Sequence, residues 1–328
     1  MRVELQIFRQ LPPAPPVMQS FWLETTPGST ILDCLTQIKW EQDGGLAFRK
    51  NCRNAICGSC AMRINGRAAL ACQQHVAEEL QPGDRITITP LGNMPVMRDL
   101  IVDMGSFWDN LEQVKPYVQG TQTSRPKKSE SLQFPSERDK LNQTSGCILC
   151  GACYSDCNAR EVNPDFVGPH ALAKANRLLL DSRDQTDQAR LNQQDSLAGV
   201  WGCTRCLNCN VVCPVGVAPL DQITEIKQKI LARSQNPLIE VSRAIRHRKT
   251  LVELVRSGGW VDERKFGLQV VANQGLDPKG LLSLVPLGAR MLGRGKFPFR
   301  FKASEGTSQV RRLIDAVRAK KQTSSGSY

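Results

Sequence analysis

All but one of the chain's thirteen cysteines fall into three short groups, and any fold must bring the members of each group together. CILCGACYSDC has the spacing C-x2-C-x2-C-x3-C at Cys147, Cys150, Cys153 and Cys157. CTRCLNCNVVCP repeats it at Cys203, Cys206, Cys209 and Cys213, followed by Pro214. Each run packs four soft ligands into one loop, a set suited to iron and sulfide. The N-terminal MRVELQIFRQ alternates like a strand and shows no signal or transit pattern, so a reducing compartment is expected, where cysteines serve metals rather than disulfides. Two copies of the run predict two cubane [4Fe–4S] clusters. In two-cluster proteins of this kind the fourth cysteine of each run ligates the other cluster. On that rule the middle cluster takes Cys147, Cys150, Cys153 and Cys213, and the terminal cluster takes Cys157, Cys203, Cys206 and Cys209. The exchange would staple the two loops, so the metal-free chain should fold poorly here.

The earlier group, CRNAICGSCAMRINGRAALAC, places Cys52, Cys57, Cys60 and Cys72 at C-x4-C-x2-C-x11-C, the plant-type [2Fe–2S] spacing. A tight loop would supply three thiolates and the returning strand of a hairpin the fourth. Gly58 permits positive φ and, with Ser59, keeps the loop small enough for backbone N–H groups to reach the sulfurs. Zinc sites favour paired C-x2-C knuckles, which the x4 loop does not fit. The odd cysteine, Cys34, sits beside Leu35 on a predicted helix and reads as a buried thiol.

Around these groups the chain divides into four stretches. Residues 1–105 read as β-rich. Val3, Leu5 and Ile7 alternate with Glu4 and Gln6, and a second strand fits Phe21 to Glu24. A helix begins near Ser29 or Thr30, Asn65-Gly66 signals a hairpin, and Ile86 and Ile88 form the last strand. Residues 106–139 follow as a connecting helix and polar linker, with a helical pattern from Met97 to Tyr117. Residues 140–236 read as helical around two cysteine loops, one helix starting at Gly168-Pro169 and another covering Leu220 to Arg233. Residues 237–328 carry helical patches broken at Gly258-Gly259, Asp277-Pro278 and Phe297-Pro298, and the final KQTSSGSY should be disordered.

That last stretch holds 18 Lys/Arg against 7 Asp/Glu, nearly all of the whole-chain charge of +12. It predicts an anionic partner: lipid, nucleic acid or an acidic protein. No apolar run is long enough to cross a bilayer. His75, His170 and His247 are isolated and read as structural. No P-loop, G-x-G-x-x-G or Ser/His/Asp set is present, so no substrate bond-making is expected on this chain. Arg205, between two predicted ligands of the terminal cluster, is either a charge that raises its potential or a surface side chain.

The cysteine groups, together with PVMRDLIVDMGSFWDNLEQVKPY and NPDFVGPHALAKANRLLLDSRD, run in an order over residues 1–235 that resembles the iron–sulfur subunit of succinate dehydrogenase and fumarate reductase. The resemblance implies an α+β chain: an N-terminal β-grasp plant-type ferredoxin domain, an α-helical bacterial-type two-cluster ferredoxin domain, and here a helical C-terminal extension. It implies an FAD flavoprotein partner, a membrane-anchor subunit with quinone nearby, and attachment at the cytoplasmic face of a prokaryotic membrane. Three departures stand out. Familiar members lack a cysteine at the position of Cys206 and carry a [3Fe–4S] centre there, whereas this set predicts a second [4Fe–4S]. Their Pro, Ser and Trp residues near quinone are replaced by Asn158-Ala159-Arg160-Glu161, and their His by Thr204. The extension itself resembles tails of variant members whose anchor is similar to a heterodisulfide-reductase subunit, and GLLSLVPLGARMLGRGKFPF within it reads as an amphipathic basic segment. Two other readings remain: an iron–sulfur subunit serving a thiol- or hydroxy-acid-linked flavoprotein, and a zinc-bearing nucleic-acid binder. Nucleic acid is not the expected partner.

Overall fold

Strand β1 (Arg2–Arg9) buries Val3, Leu5 and Ile7 completely on one face. The computed structural model describes residues 1–120, 130–234, 242–297 and 300–324. It sets β1 in a sheet with β2 (Val17–Glu24), β3 (Ala61–Ile64), β4 (Arg67–Leu70) and β5 (Arg85–Thr89), in the order β2-β1-β5-β3-β4. β1 is antiparallel to β2 and parallel to β5, and β3 is antiparallel to both β4 and β5. A parallel pair needs a crossover, and the helix Ile31–Glu41 lies within it. Thr30 is its N-cap: the hydroxyl accepts from Asp33 N, and the Asp33 carboxylate accepts from Thr30 N. Such a cap stabilises by about 1 kcal/mol. Ile31, Leu35 and Ile38 are fully buried, as is the odd thiol Cys34. Glu4 breaks the alternation of β1. It is also buried, with its carboxylate accepting from Ser20 Oγ at 2.6 Å and Arg85 Nε at 2.8 Å. This is the expected β-grasp layout.

In the β-rich part and the connecting segment two expectations differ from the structure. β2 starts at Val17 rather than Phe21, because Val17 to Ser20 are exposed and leave no burial pattern to read. The helical pattern from Met97 to Tyr117 gives a helix only over Gly105–Gln113, preceded by a small hairpin, Val96–Arg98 with Ile101–Val102. Asp99 decides this. Its φ is +47°, and its carboxylate accepts from Gln10 N at 3.0 Å and Ala47 N at 2.9 Å and pairs with Arg9. Those distant partners outweigh local helix propensity.

The second part of the first unit is helical, with longer helices at Pro169–Leu179, Asp187–Gln194 and Pro219–Arg233. Gly168 (φ +91°) turns the chain into the first of these, and Pro169 occupies its opening position. The hydrophobic core of the β-grasp part runs on into this region through Ala152, Tyr154 and Val212, with Cys150 and Cys153 packed on it. By contacts the chain divides into two units, Met1–Ile230 and Leu231–Tyr328.

The second unit contains helices Arg243–Gly258, Pro278–Gly293 and Thr307–Ser324. Gly259 (φ +77°) closes the first helix and Asp277 caps the second, as the breaks in the sequence suggest. The first and third are joined by Arg256 with Asp315 and Arg318 with Glu253. The third continues to Ser324, so the first half of KQTSSGSY is helical rather than disordered. Most of the polar linker GTQTSRPKKSES, Pro298 and residues 325–328 lie outside the described residues.

Candidate redox centres

Cys52, Cys57 and Cys60 sit on one loop before β3, and Cys72 lies two residues beyond β4. The Asn65-Gly66 turn, with φ of +50° and +81°, brings the fourth cysteine back to the loop. Arg53, Ala55 and Gly58 all have positive φ. For Arg53 and Ala55 this costs on the order of 1 kcal/mol each and persists only where surroundings impose it. The reward is visible in the donors. Asn54 N and Cys57 N donate to Cys52 Sγ at 3.5 and 3.3 Å. Cys52 N and Ser59 N donate to Cys57 Sγ at 3.5 Å, and Ala55 N donates to Cys72 Sγ at 3.3 Å. The Ser59 side chain and the Cys52 backbone draw the Cys57 thiol down to about 6, whereas burial pushes Cys60 up to about 12. The donors thus favour negative sulfur at Cys57, while burial disfavours it at Cys60.

The two later runs share a backbone as well as a spacing. In the first, Leu149 and Gly151 have φ of +55° and +84°; in the second, the corresponding Arg205 and Leu207 have +61° and +70°. A left-handed residue on each side of the second cysteine curls both loops into the same cup. One cup is lined by Cys147, Cys150, Cys153 and Cys213, with Ile148, Leu149 and Val217 among its apolar walls. The other is lined by Cys157, Cys203, Cys206 and Cys209, with Phe166, Leu207 and Ile223. Cys157 and Cys213 therefore each line the cup of the opposite run. Among the described residues no three His, Cys, Asp or Glu side chains converge as a single-ion site; the sulfurs rim cavities instead. Burial raises the thiols, Cys150 to about 11, Cys209 to about 12, and Cys153 and Cys157 also upward. Thiols so disposed ionise when a positive inorganic core takes their protons' place.

The first group meets the second directly. A Cβ on Gly58 would lie 2.8 Å from Cys150 Cβ and 3.0 Å from its Cα. Further contacts lock the β-grasp part to the cysteine loops. Arg63 Nε donates to Asp156 at 2.9 Å, Ala68 N donates to the other Asp156 oxygen at 2.9 Å, and Asn93 Nδ2 donates to the carbonyls of Tyr154, Ser155 and Cys157.

At the third group, sequence reasoning missed Lys227. Its Nζ donates to Cys203 O at 3.3 Å and lies 5.7 Å from the Trp201 ring centroid. Burial lowers its pKa, the neighbouring Cys203 opposes that, and Arg205 adds to it. Arg205 is itself exposed. His170 is structural as expected: buried, stacked on Phe107 at 3.9 Å and bonded to Phe107 O, with burial pushing it down to about 4.

The DSRD segment is a fastening. Asp181 pairs with Arg177 and Arg183. Asp184 pairs with Arg190 at 2.8 Å and accepts from Gln119 N and Thr186. Arg190 also donates to the carbonyls of Val114, Lys115 and Tyr117. The connecting segment is thereby held against the helical part.

Residues 4–109 match the 2Fe-2S iron-sulfur cluster binding domain family, and residues 143–217 match the 4Fe-4S dicluster domain family. The chain is similar to the "Fumarate reductase iron-sulfur subunit" of Mycobacterium tuberculosis (strain CDC 1551 / Oshkosh), 39% identical over 228 residues, covering 69% of this chain and 92% of that protein. It is 37% identical to the protein of the same name from Haemophilus influenzae over 209 residues, covering 61% of this chain and 80% of that one. Among solved structures, a chain of the Mycobacterium smegmatis Sdh1 complex in the apo form shares the fold, with a TM-score of 0.65 at 24% identity, covering 73% of this chain and 99% of that one.

Proposed function

Since the chain belongs to the family of fumarate reductase and succinate dehydrogenase iron–sulfur subunits, we propose that it is the electron-carrying subunit of a succinate:quinone or quinol:fumarate oxidoreductase with three clusters. Cys52, Cys57, Cys60 and Cys72 would hold a [2Fe–2S] cluster. Cys147, Cys150, Cys153 and Cys213 would hold a [4Fe–4S] cluster, and Cys157, Cys203, Cys206 and Cys209 a terminal centre, also [4Fe–4S]. When bound, such clusters supply one-electron transfer in series between an FAD flavoprotein and a quinone at the membrane anchor, in whichever direction the potentials favour. The chain's own residues do the rest. Backbone N–H groups around Cys52 and Cys57 stabilise charge on sulfur, and Gly58 allows the first loop to touch the second.

The observation that carries this reading is the sorting of the two runs into two four-sulfur cups, each with one cysteine from the other run. It supports four ligands at the terminal site, Cys206 included. A cytoplasmic-face position and a heterodisulfide-reductase-like anchor belong to the same proposal, as does the division at 1–105, 106–139, 140–236 and 237–328. The test is metal analysis with low-temperature EPR of the undamaged, air-oxidised holoprotein. About ten irons per chain, and no strong [3Fe–4S] signal, are expected. An intense intrinsic [3Fe–4S] signal would overturn the terminal assignment, and zinc in place of iron would overturn the whole.

A further inference from the structure

The helix Pro278–Gly293 is anchored on one side only. With about 100° between successive residues, Leu284, Gly288 and Met291 share a face and are the less exposed members of the helix. Leu284 packs where a Cβ on Gly267 would touch it at 3.6 Å. The flank beside that face, about 60–100° round the helix from Leu284, carries Leu281, Val285 and Leu292 in one line, with Leu282 further round at about 160°, and these four are 47–72% exposed. Lys279, Arg290 and Arg294 fall together across the helix from that apolar line, about 220–280° round from Leu284. From Pro278 to Lys296 the sequence has no acidic residue. An exposed apolar stripe with only positive charge on the face across from it is the arrangement of a helix lying in a bilayer interface. No helix of the described residues is long and apolar enough to cross a membrane, so the contact would be at the surface.

We propose that the Pro278–Gly293 helix binds an anionic lipid surface, burying Leu281, Leu282, Val285 and Leu292 among acyl chains while Lys279, Arg290 and Arg294 meet lipid phosphates. The net +11 of residues 237–328 draws the unit to such a surface before the apolar stripe engages. The extension thereby gives the chain a membrane contact of its own, separate from any anchor subunit. This stands apart from the cluster assignment, and its test reads a different signal.

The purified full-length holoprotein is sedimented with vesicles of phosphatidylcholine alone and with vesicles that also contain phosphatidylglycerol. Binding is expected only to the anionic vesicles and should weaken as salt rises. Arg290→Gln with Arg294→Gln should lower the partition about thirty-fold, from a loss of roughly fivefold at each cation. Leu281→Gln with Val285→Gln should reduce it to background. All these side chains are exposed, so the visible absorption of the clusters should stay unchanged and report that folding and cluster loading are intact. The proposal is overturned by absence of binding to anionic vesicles, by equal binding to neutral ones, or by wild-type partition of either double variant. Capture of the helix by a detergent-solubilised anchor protein, with no vesicle binding, would assign this face to a protein instead.

Discussion

Gly58 does two jobs at once: its φ of +71° shapes the first cysteine loop, and its missing side chain leaves room for Cys150. Gly58→Ala should therefore strain the loop and push apart two backbones that have no flexible side chain between them. A destabilisation of about 1–3 kcal/mol is expected. It should appear as a lower melting temperature together with an altered [2Fe–2S] EPR signal in the reduced protein. An unchanged spectrum and melting temperature would show that the contact is unimportant. Lys227 acts through charge. Lys227→Met should lower the midpoint potential of the terminal centre by on the order of tens of millivolts, leaving the [2Fe–2S] potential in place, because potentials follow local net charge. A potentiometric EPR titration reads both centres in one sample, and a terminal potential that fails to move would clear Lys227 of this role. Leu207 is the opposite case to Gly58, since its left-handed backbone carries an exposed side chain. Leu207→Gly should be tolerated or slightly stabilising in thermal melts, by a few tenths to about 1 kcal/mol.

Among elements, the fastening formed by Asp184 and Arg190 shows why DSRD, legible as a family signature, could not be read as a device. Its partners are the carbonyls of Val114, Lys115 and Tyr117, some 73 to 76 residues away. Burial opposes ionisation of Asp184, but the bonds from Arg190, Gln119 N and Thr186 outweigh it and hold its carboxyl at about 2. The folded pKa is below the ordinary value. The pair's stabilisation is therefore complete above about pH 4 and is lost as pH falls through about 2. Asp184→Asn leaves a buried guanidinium without its counter-charge and should cost about 3 kcal/mol at neutral pH. Its loss relative to wild type should shrink in acid, and equal melting temperatures at neutral pH would contradict the account. The cysteine loops were readable because ligand spacing is local, and the Asn65-Gly66 hairpin because turn chemistry is local. The hairpin at Val96–Arg98 and Ile101–Val102 was not, since Asp99 is fixed by Gln10 and Ala47. Lys227 was hidden for the same reason, reaching Cys203 from 24 residues away.

For the molecule as a whole, the β-grasp part supplies most of the main hydrophobic core, which reaches the helical region through Ala152, Tyr154 and Val212, while the cups at 147–157 and 203–213 are walled by short helices and raised thiols. Stripping the iron should leave the sheet protected and release the helical region first. Hydrogen exchange on the metal-free chain should show fast amides over 140–230 and slow ones in β1 and β5; uniform protection would mean that the protein frame stands without its clusters. The crossing of Cys157 and Cys213 between cups also has a consequence in time. A ribosome completes the first set of four sulfurs at residue 72. It completes neither of the other two until the second run is made: the set with Cys157 closes at residue 209 and the set with Cys147 at residue 213. On the proposed ligand sets, a nascent chain that stops before the second run could load neither cup, and the two would become ready within four residues of each other.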